Sequence, residues 1–278
     1  DNAMTKKRER IDRRSPEAYA KMIEIVRATF VHEGTMVAFP LCFPGATVPI
    51  VADESHITAL DTDPHGIVYG GTSGRAAHLF SASFRGSSGV VFDLGAVEGA
   101  DECVAVCCGD WRTKRFVACV NGPGGGRVVA LKYRRPAFDL IQEWGFRREP
   151  HEDLGEVVSG EKIVHAVADP SRKLAIGVTK GHLFAVNIAD SKVEVVAEIP
   201  GTGRVAVGSN GSVFGLDEED ALWRYDPAER TLARKAVKLP EGSWNKPALR
   251  WAKDPVDGKL YTADGEARLY SFSEEEGF

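Results

Sequence analysis

The sequence predicts an all-β protein made of repeated four-stranded antiparallel units, and three observations carry that prediction. From residue 34 onward, apolar residues recur with a period of two in short β-branched and aromatic runs. Gly, Asp, Asn and Pro punctuate these runs, which marks strands joined by tight turns. The runs also repeat. DPHGIVYGGTSG at 63–74, DPSRKLAIGVTKG at 169–181 and DPVDGKLYTADG at 254–265 each encode a turn, an apolar strand and a second turn. A further strand follows each one: AHLF at 77–80, GHLF at 181–184 and RLY at 268–270. Weaker copies lie at 110–133 and 210–226, so the spacing of about 40 to 59 residues is that of a propeller blade. The expected fold is a five-bladed β-propeller occupying 34–278, with six or seven blades as the alternative count.

The repeat has a physical reason. A small antiparallel sheet has two apolar faces and cannot bury either alone, so each blade packs against its neighbours around an axis. Four strands per blade are expected, ordered from the axis outward. They fall near 57–61, 66–70, 76–83 and 89–94; then 103–108, 115–121, 127–133 and 138–144. The third blade takes 162–168, 173–179, 181–188 and 192–199, and the fourth 203–208, 211–216, 220–225 and 230–238. The fifth has 247–252, 258–263 and 267–273, and lacks an outer strand. An open edge invites association, so a spare segment at 34–42 or 47–51 is expected to complete the last blade and close the ring. A sixth blade within 134–162 would be the alternative.

Ahead of the repeats, residues 1–33 read as a short cloning remnant before Met4, a basic segment and one amphipathic helix. Tyr19, Met22, Ile23, Val26 and Phe30 recur at three- and four-residue spacing after Ser15-Pro16-Glu17, where serine caps and proline suits the first turn. The helix is expected over 16–31.

Composition excludes several partners. With 278 residues, 43% of them hydrophobic, the chain can bury a large core. Its formal charge of −5 offers no footprint for nucleic acid or anionic lipid, and no apolar run is long enough to span a membrane. Five cysteines, Cys42, Cys103, Cys107, Cys108 and Cys119, form no Cys-x-x-Cys pair, so neither a metal centre nor a redox couple is indicated and no cofactor is expected. They read as reduced, buried thiols of a cytoplasmic protein.

The pattern Gly-x-Leu/Val-Tyr-Gly-x-Thr-x-Gly-x-x-Leu-Phe is clearest at Gly66 to Phe80 and echoed up to Phe184 and Tyr270. It resembles the repeats of the broad β-propeller group that includes kelch-like, regucalcin-like and virginiamycin-lyase-like proteins, over about 57–273. The resemblance implies blades and not an activity, and no catalytic residue carries over. It also implies a ligand face built from the loops joining successive blades and those between second and third strands, around the mouth of the axial channel. The longest of these loops spans 146–161.

Two functions follow. The first is a non-catalytic propeller binding a small anionic or sugar-like ligand, or a protein partner, through that face. The alternative is a lyase or hydrolase acting on a carbohydrate or other anionic small molecule in the channel. Using the Asp-Pro turns as registers, Ala59, His165 and Arg250 share one column on the inner strands, with Arg204 nearby. His165 is either a core histidine bonded to a carbonyl or, with Arg250, part of a channel lining for a carboxylate or phosphate. His56, after Asp53-Glu54-Ser55, sits near the presumed mouth, so His165, His56 and Arg250 are the catalytic candidates. Paired carboxylates for hydrolysis would have to come from Asp53 and Asp61. His78 and His182 occupy equivalent positions, which repetition alone explains. Trp244 lies at a blade joint, where it either packs blades or stacks on a sugar.

The stretch NGPGGGR at 121–127 resembles a phosphate loop, but a strand rather than a helix follows it, so a hairpin turn is expected. Arg127 and Arg75 then fall at matching positions on the ligand face and join Trp244 as candidate ligand-binding residues.

Overall fold

A computed structural model of the chain describes residues 28–32, 35–38, 50–85, 88–110, 112–132, 151–199, 202–245 and 249–278. Strands β1 (Ala28–His32) and β2 (Thr35–Ala38) come first. The first blade follows as β3 (His56–Thr62), β4 (Val68–Ser73), β5 (His78–Arg85) and β6 (Ser88–Ala96). The second is β7 (Glu102–Cys108), β8 (Arg115–Gly122), β9 (Gly125–Lys132) and β10 (Glu152–Glu156). The third holds β11 (Ile163–Ala168), β12 (Leu174–Thr179), β13 (His182–Asn187) and β14 (Lys192–Glu198). The fourth holds β15 (Thr202–Val207), β16 (Val213–Leu216), β17 (Ala221–Asp226) and β18 (Thr231–Lys238). The fifth holds β19 (Ala252–Lys253), β20 (Leu260–Ala263) and β21 (Leu269–Phe272). Every pairing is antiparallel, and each blade is a meander in chain order.

Four apolar clusters seal successive blade junctions. Tyr69 and Leu79 of the first blade meet Phe116 and Val129 of the second, and Val117 and Val128 meet Phe184 and Val186 of the third. Ile176 and Leu183 meet Trp223 and Tyr225, and Phe214 and Leu222 meet Leu260 and Phe272. In three blades a glycine on the second strand lies under the aromatic ring paired with it on the third: Gly70 with Phe80, Gly177 with Phe184, Gly215 with Trp223. A Cβ on any of them would stand within 2.4 Å of that ring, so the glycine is the space the ring fills.

A second repeated feature sets the height of the turns. Within one residue of the end of the second strand lies a buried polar residue in all five blades: Thr72, Asn121, Thr179, Asp217 and Asp264. Thr72 and Thr179 each accept a bond from the main-chain N–H that opens the third strand, at His78 and His182, both 3.0 Å. Asn121 accepts from the Ile163 N–H and donates to the Ile163 carbonyl, both 2.9 Å, which ties the second blade to the start of the third. Asp217 accepts from Lys235 N and Arg234 Nε, and Asp264 from Arg268 N and Nε. At the other end, where first and second strands are joined, Asp63 accepts from two main-chain N–H groups and Asp169 from three.

Several expectations are corrected. Residues 28–31, expected to end a helix, form β1. Thr29, Phe30 and Val31 suit a pleated strand, and β1 pairs with β6; residues 16–27 lie outside the described residues. Of the expected closing segment 34–42, Thr35–Ala38 pairs with β1 on the outer side of the first blade and not with the fifth. His32 lies opposite Thr35. Residues 39–42 and 47–49 lie outside the described residues. The outer strand of the second blade is β10, inside the expected loop 146–161, whereas 138–144 lies outside the described residues. Because β10 pairs with β9, its residues belong to the second blade and not to a sixth. The inner strand of the fifth blade is only two residues long and leaves Arg250 in the approach to it.

Asn121→Ala is expected to leave the buried Ile163 N–H and C=O unpaired and to lower unfolding free energy by about 2–3 kcal/mol. Equilibrium denaturation of the variant checks this.

Candidate functional site

The inner strands converge on an axial cavity of about 400 Å³. Its lining draws on every blade: His56 and Thr58 from the first, Glu102 from the second, Val164 from the third, Arg204 from the fourth and Arg250 from the fifth. All lie within two residues of the starts of inner strands, so the cavity opens on the face that carries the blade joints and the turns from second to third strand. The inner strands are irregular there: the ladder shifts between Ile57 and Ala59, Cys103 and Ala105, Ile163 and His165, and Thr202 and Ala206. Such bulges re-aim side chains without breaking the sheet. Ala59 and His165 pair with Gly71 and Val178, each one residue before its blade's buried threonine, so they do share a column.

The cavity is electrostatically lopsided. Arg204 and Arg250 come from adjacent blades, and among the described residues neither forms an ion pair. Burial, then the charge of Arg250, holds the Arg204 guanidinium below its ordinary value. Arg250 donates only a long bond to the Leu249 carbonyl, 3.4 Å. His165 lies within reach of both charges. Burial first, then Arg204 and Arg250, pushes its imidazole down to about 4, against a main-chain hydrogen bond with Val205. Its Nδ1 is buried without a hydrogen-bond partner. The ring is therefore neutral at physiological pH. Across the cavity, Glu102 Oε2 accepts from Asn121 Nδ2 at 2.9 Å, so the residue that joins the second and third blades also fixes this carboxylate. Neither its type nor its spacing singled Glu102 out in the sequence; only the ring closure brings it opposite the arginines.

The other sequence candidates are engaged elsewhere. Arg75 is paired with Glu54 at 2.7 Å and with Asp53 at 3.5 Å, and Arg127 with Asp153 on β10 at 2.9 Å. Trp244 donates to the Pro240 carbonyl at 2.8 Å and packs on Tyr270 with ring centroids 5.2 Å apart. Asp61 lies at the far end of β3, where its carboxylate accepts from Arg172 at 2.9 Å and from the Cys108 N–H at 2.7 Å, tying the first three blades together. The four described cysteines are buried and free, and burial pushes their thiols up, so they are inert as nucleophiles. Among the described residues no group of His, Cys, Asp and Glu is placed to hold a metal ion, and no helix is long and apolar enough to cross a membrane.

His78 and His182 share one job in their blades. His182 Nδ1 meets Glu161 at 3.0 Å, and Glu161 also accepts from Thr179 at 2.5 Å. His78 is buried between Glu54 at 2.7 Å and Asp93 at 3.2 Å. Two flanking acceptors call for both ring N–H groups, and Asp93, followed by Glu54, raises the His78 pKa against its burial. The bond from His78, then that from Arg75, lowers the Glu54 carboxyl. This network anchors the short 3-10 turn at Ala52–Glu54, which leads directly into His56 and so holds one wall of the cavity.

The sequence matches no family model and no curated protein. Solved structures are similar in fold. Virginiamycin B lyase from Staphylococcus aureus aligns at a TM-score of 0.50 and 9% identity, over 81% of this chain and 72% of its own. The C-terminal WD40 domain of Sif2 aligns at 0.51 and 11%, over 80% and 59%. Sqt1 from Chaetomium thermophilum, solved bound to the N-terminus of ribosomal protein L10, aligns at 0.53 and 15%, over 79% and 59%. The chain is a five-bladed β-propeller. It spans less than two thirds of the Sif2 domain and of Sqt1, and identities this low show the fold alone.

The two histidine environments give opposite pH dependences. The propeller holds His165 at about 4, below its ordinary 6.5. The unfolded chain therefore binds the extra proton first, and stability is expected to fall as pH drops from about 6.5 to about 4, by on the order of 1–3 kcal/mol. His78, with its pKa raised, contributes stability that is fully present below its unfolded value and is lost as pH rises through its folded value. Denaturation midpoints from about pH 4 to well above 6.5 check both: the first on the acid side, the second on the alkaline side. His165→Gln should flatten the acid limb, and an unchanged limb contradicts the assignment.

Proposed function

We propose that this propeller binds a small anion at the mouth of its axial channel, with Arg204 and Arg250 as the two anchors. The observation that supports this most is the pair itself. Two guanidiniums from adjacent blades share one cavity with no carboxylate between them among the described residues, near enough for each to depress the same histidine. Charges of one sign brought together at a cost in repulsion are the usual mark of a site whose counter-ion is the ligand. Guanidiniums suit planar or tetrahedral oxyanions because they donate two bonds in a fixed fork. A carboxylate or phosphate seated there would relieve the repulsion between the arginines and that on His165.

Binding is favoured over catalysis by how the carboxylates are used. Hydrolysis of a glycosidic bond needs two carboxyl groups flanking it, and the described lining supplies one, Glu102, while Asp61 and Asp53 are committed to Arg172 and Arg75. His165 keeps an unpaired Nδ1, but that atom is buried and the residue is not part of the cavity lining, so it is not placed to take a proton from a ligand at the mouth.

Inorganic phosphate is expected to raise the melting temperature in proportion to the logarithm of its concentration once binding saturates. Arg204→Ala and Arg250→Ala are each expected to weaken phosphate binding about tenfold or more. Arg127→Ala, whose guanidinium is spent on Asp153, should leave binding unchanged. Titration calorimetry checks all three, and equal affinity in the wild type and both mouth variants would contradict the reading.

A further inference from the structure

The walls of the mouth differ in hydrogen-bonding character as well as in charge. On the fourth and fifth blades, Arg204 and Arg250 are donors only; on the second, Glu102 is an acceptor only. One oxygen of Glu102 is held by Asn121 Nδ2, and the other has no partner among the described residues. Between the two poles lie the exposed His56 imidazole and the Thr58 hydroxyl, the latter already bonded to the Cys103 carbonyl at 2.7 Å and to Ser73 Oγ at 2.7 Å. A ligand that satisfies this lining has an anionic end for the arginines and a hydrogen-bond-donating end for Glu102.

We infer that the ligand is a hydroxylated anion, of the sugar-acid or sugar-phosphate class, whose anionic group sits on Arg204 and Arg250 while a hydroxyl donates to Glu102. This rests on the anion-binding reading above and narrows it. Three features suit a hydroxylated ligand. The second oxygen of Glu102 can accept a hydroxyl hydrogen bond beside the one from Asn121. Hydroxyls both donate and accept, and so can pair with the His56 ring as well as with Glu102. A cavity of about 400 Å³ is at the size of sites for small metabolites. A bare carboxylate would leave the Glu102 oxygen facing it unpaired, and a site built to hydrogen-bond a ligand hydroxyl rejects the analogue lacking it.

The test compares, on the intact protein by calorimetry, three probes that share one carboxylate: two monoanions and one zwitterion. They are gluconate, butyrate (which lacks hydroxyls) and 4-aminobutyrate (which replaces them with one ammonium). Gluconate is expected to bind at least about tenfold more tightly than either of the others. Glu102→Gln keeps an oxygen for Asn121 and removes the carboxylate charge; it should shrink the advantage over butyrate to about threefold or less. Comparing the probes on the wild-type protein needs no variant to fold. Equal binding of gluconate and butyrate, preference for 4-aminobutyrate, or an unchanged ratio in Glu102→Gln overturns this inference while leaving anion binding intact. Failure of all three probes and of phosphate to bind overturns both.

Discussion

The arrangement depends on one buried hydrogen-bonding position repeated around the axis. At or beside the end of each second strand a polar side chain is sunk into the blade, and it pairs with main chain that would otherwise be orphaned: where the third strand or the next blade begins or, for Asp217, at Lys235 within the fourth strand. Apolar packing alone would leave the blades free to slide along one another, because hydrophobic burial has no direction. The buried Thr, Asn and Asp residues supply the direction, since each bond is made at one register only. They sit at the end of the molecule where the cavity opens, so the elements that fix the blades also fix the site. Asn121 shows this most clearly: one amide group holds the start of the third blade and the Glu102 carboxylate together.

The site's electrostatics follow from that rigidity. Arg204 and Arg250 remain near each other because their strands are pinned, and water cannot fully separate their charges. His165 responds by staying neutral, whereas His78, flanked by Glu54 and Asp93, is driven toward the charged form. Two histidines in one fold are thus pushed in opposite directions by the company they keep. At the far end of the channel, Arg172 and Asp61 pair with each other and with Cys108. That end is a structural tie, whereas Arg204 and Arg250 at the mouth have no ion-pair partner among the described residues.

Much of the fold was readable in the residues because its rules are local. The Asp-Pro turns and the glycine under each third-strand aromatic recur in the chain and set the blade frame, and the pairing of Ala59 and His165 follows from that frame. NGPGGGR is a two-residue hairpin, with Gly122 opposite Gly125. A Cβ on Gly122 would lie 2.1 Å from the Gly99 carbonyl, so close backbone approach explains its glycine. What was not readable depended on long-range placement. Strand β10 is an exposed, charged outer strand held by Arg127–Asp153 and Arg115–Glu152, so it lacks the apolar alternation by which strands are recognised. Arg75 and Arg127 looked like free cations because their carboxylates lie 21 to 26 residues away. Glu102 gained meaning only once the ring brought the second blade across from the fourth and fifth.

The central claim is that the mouth holds two guanidiniums whose missing counter-ion is a ligand. The most direct measurement is a crystal structure of the protein soaked in bromide, with the anomalous signal used to locate the halide. A bromide peak at the axial mouth, within hydrogen-bonding distance of both Arg204 and Arg250, is the predicted result. An empty mouth with bromide bound elsewhere, or either guanidinium paired with one of the chain's own carboxylates, would contradict the account.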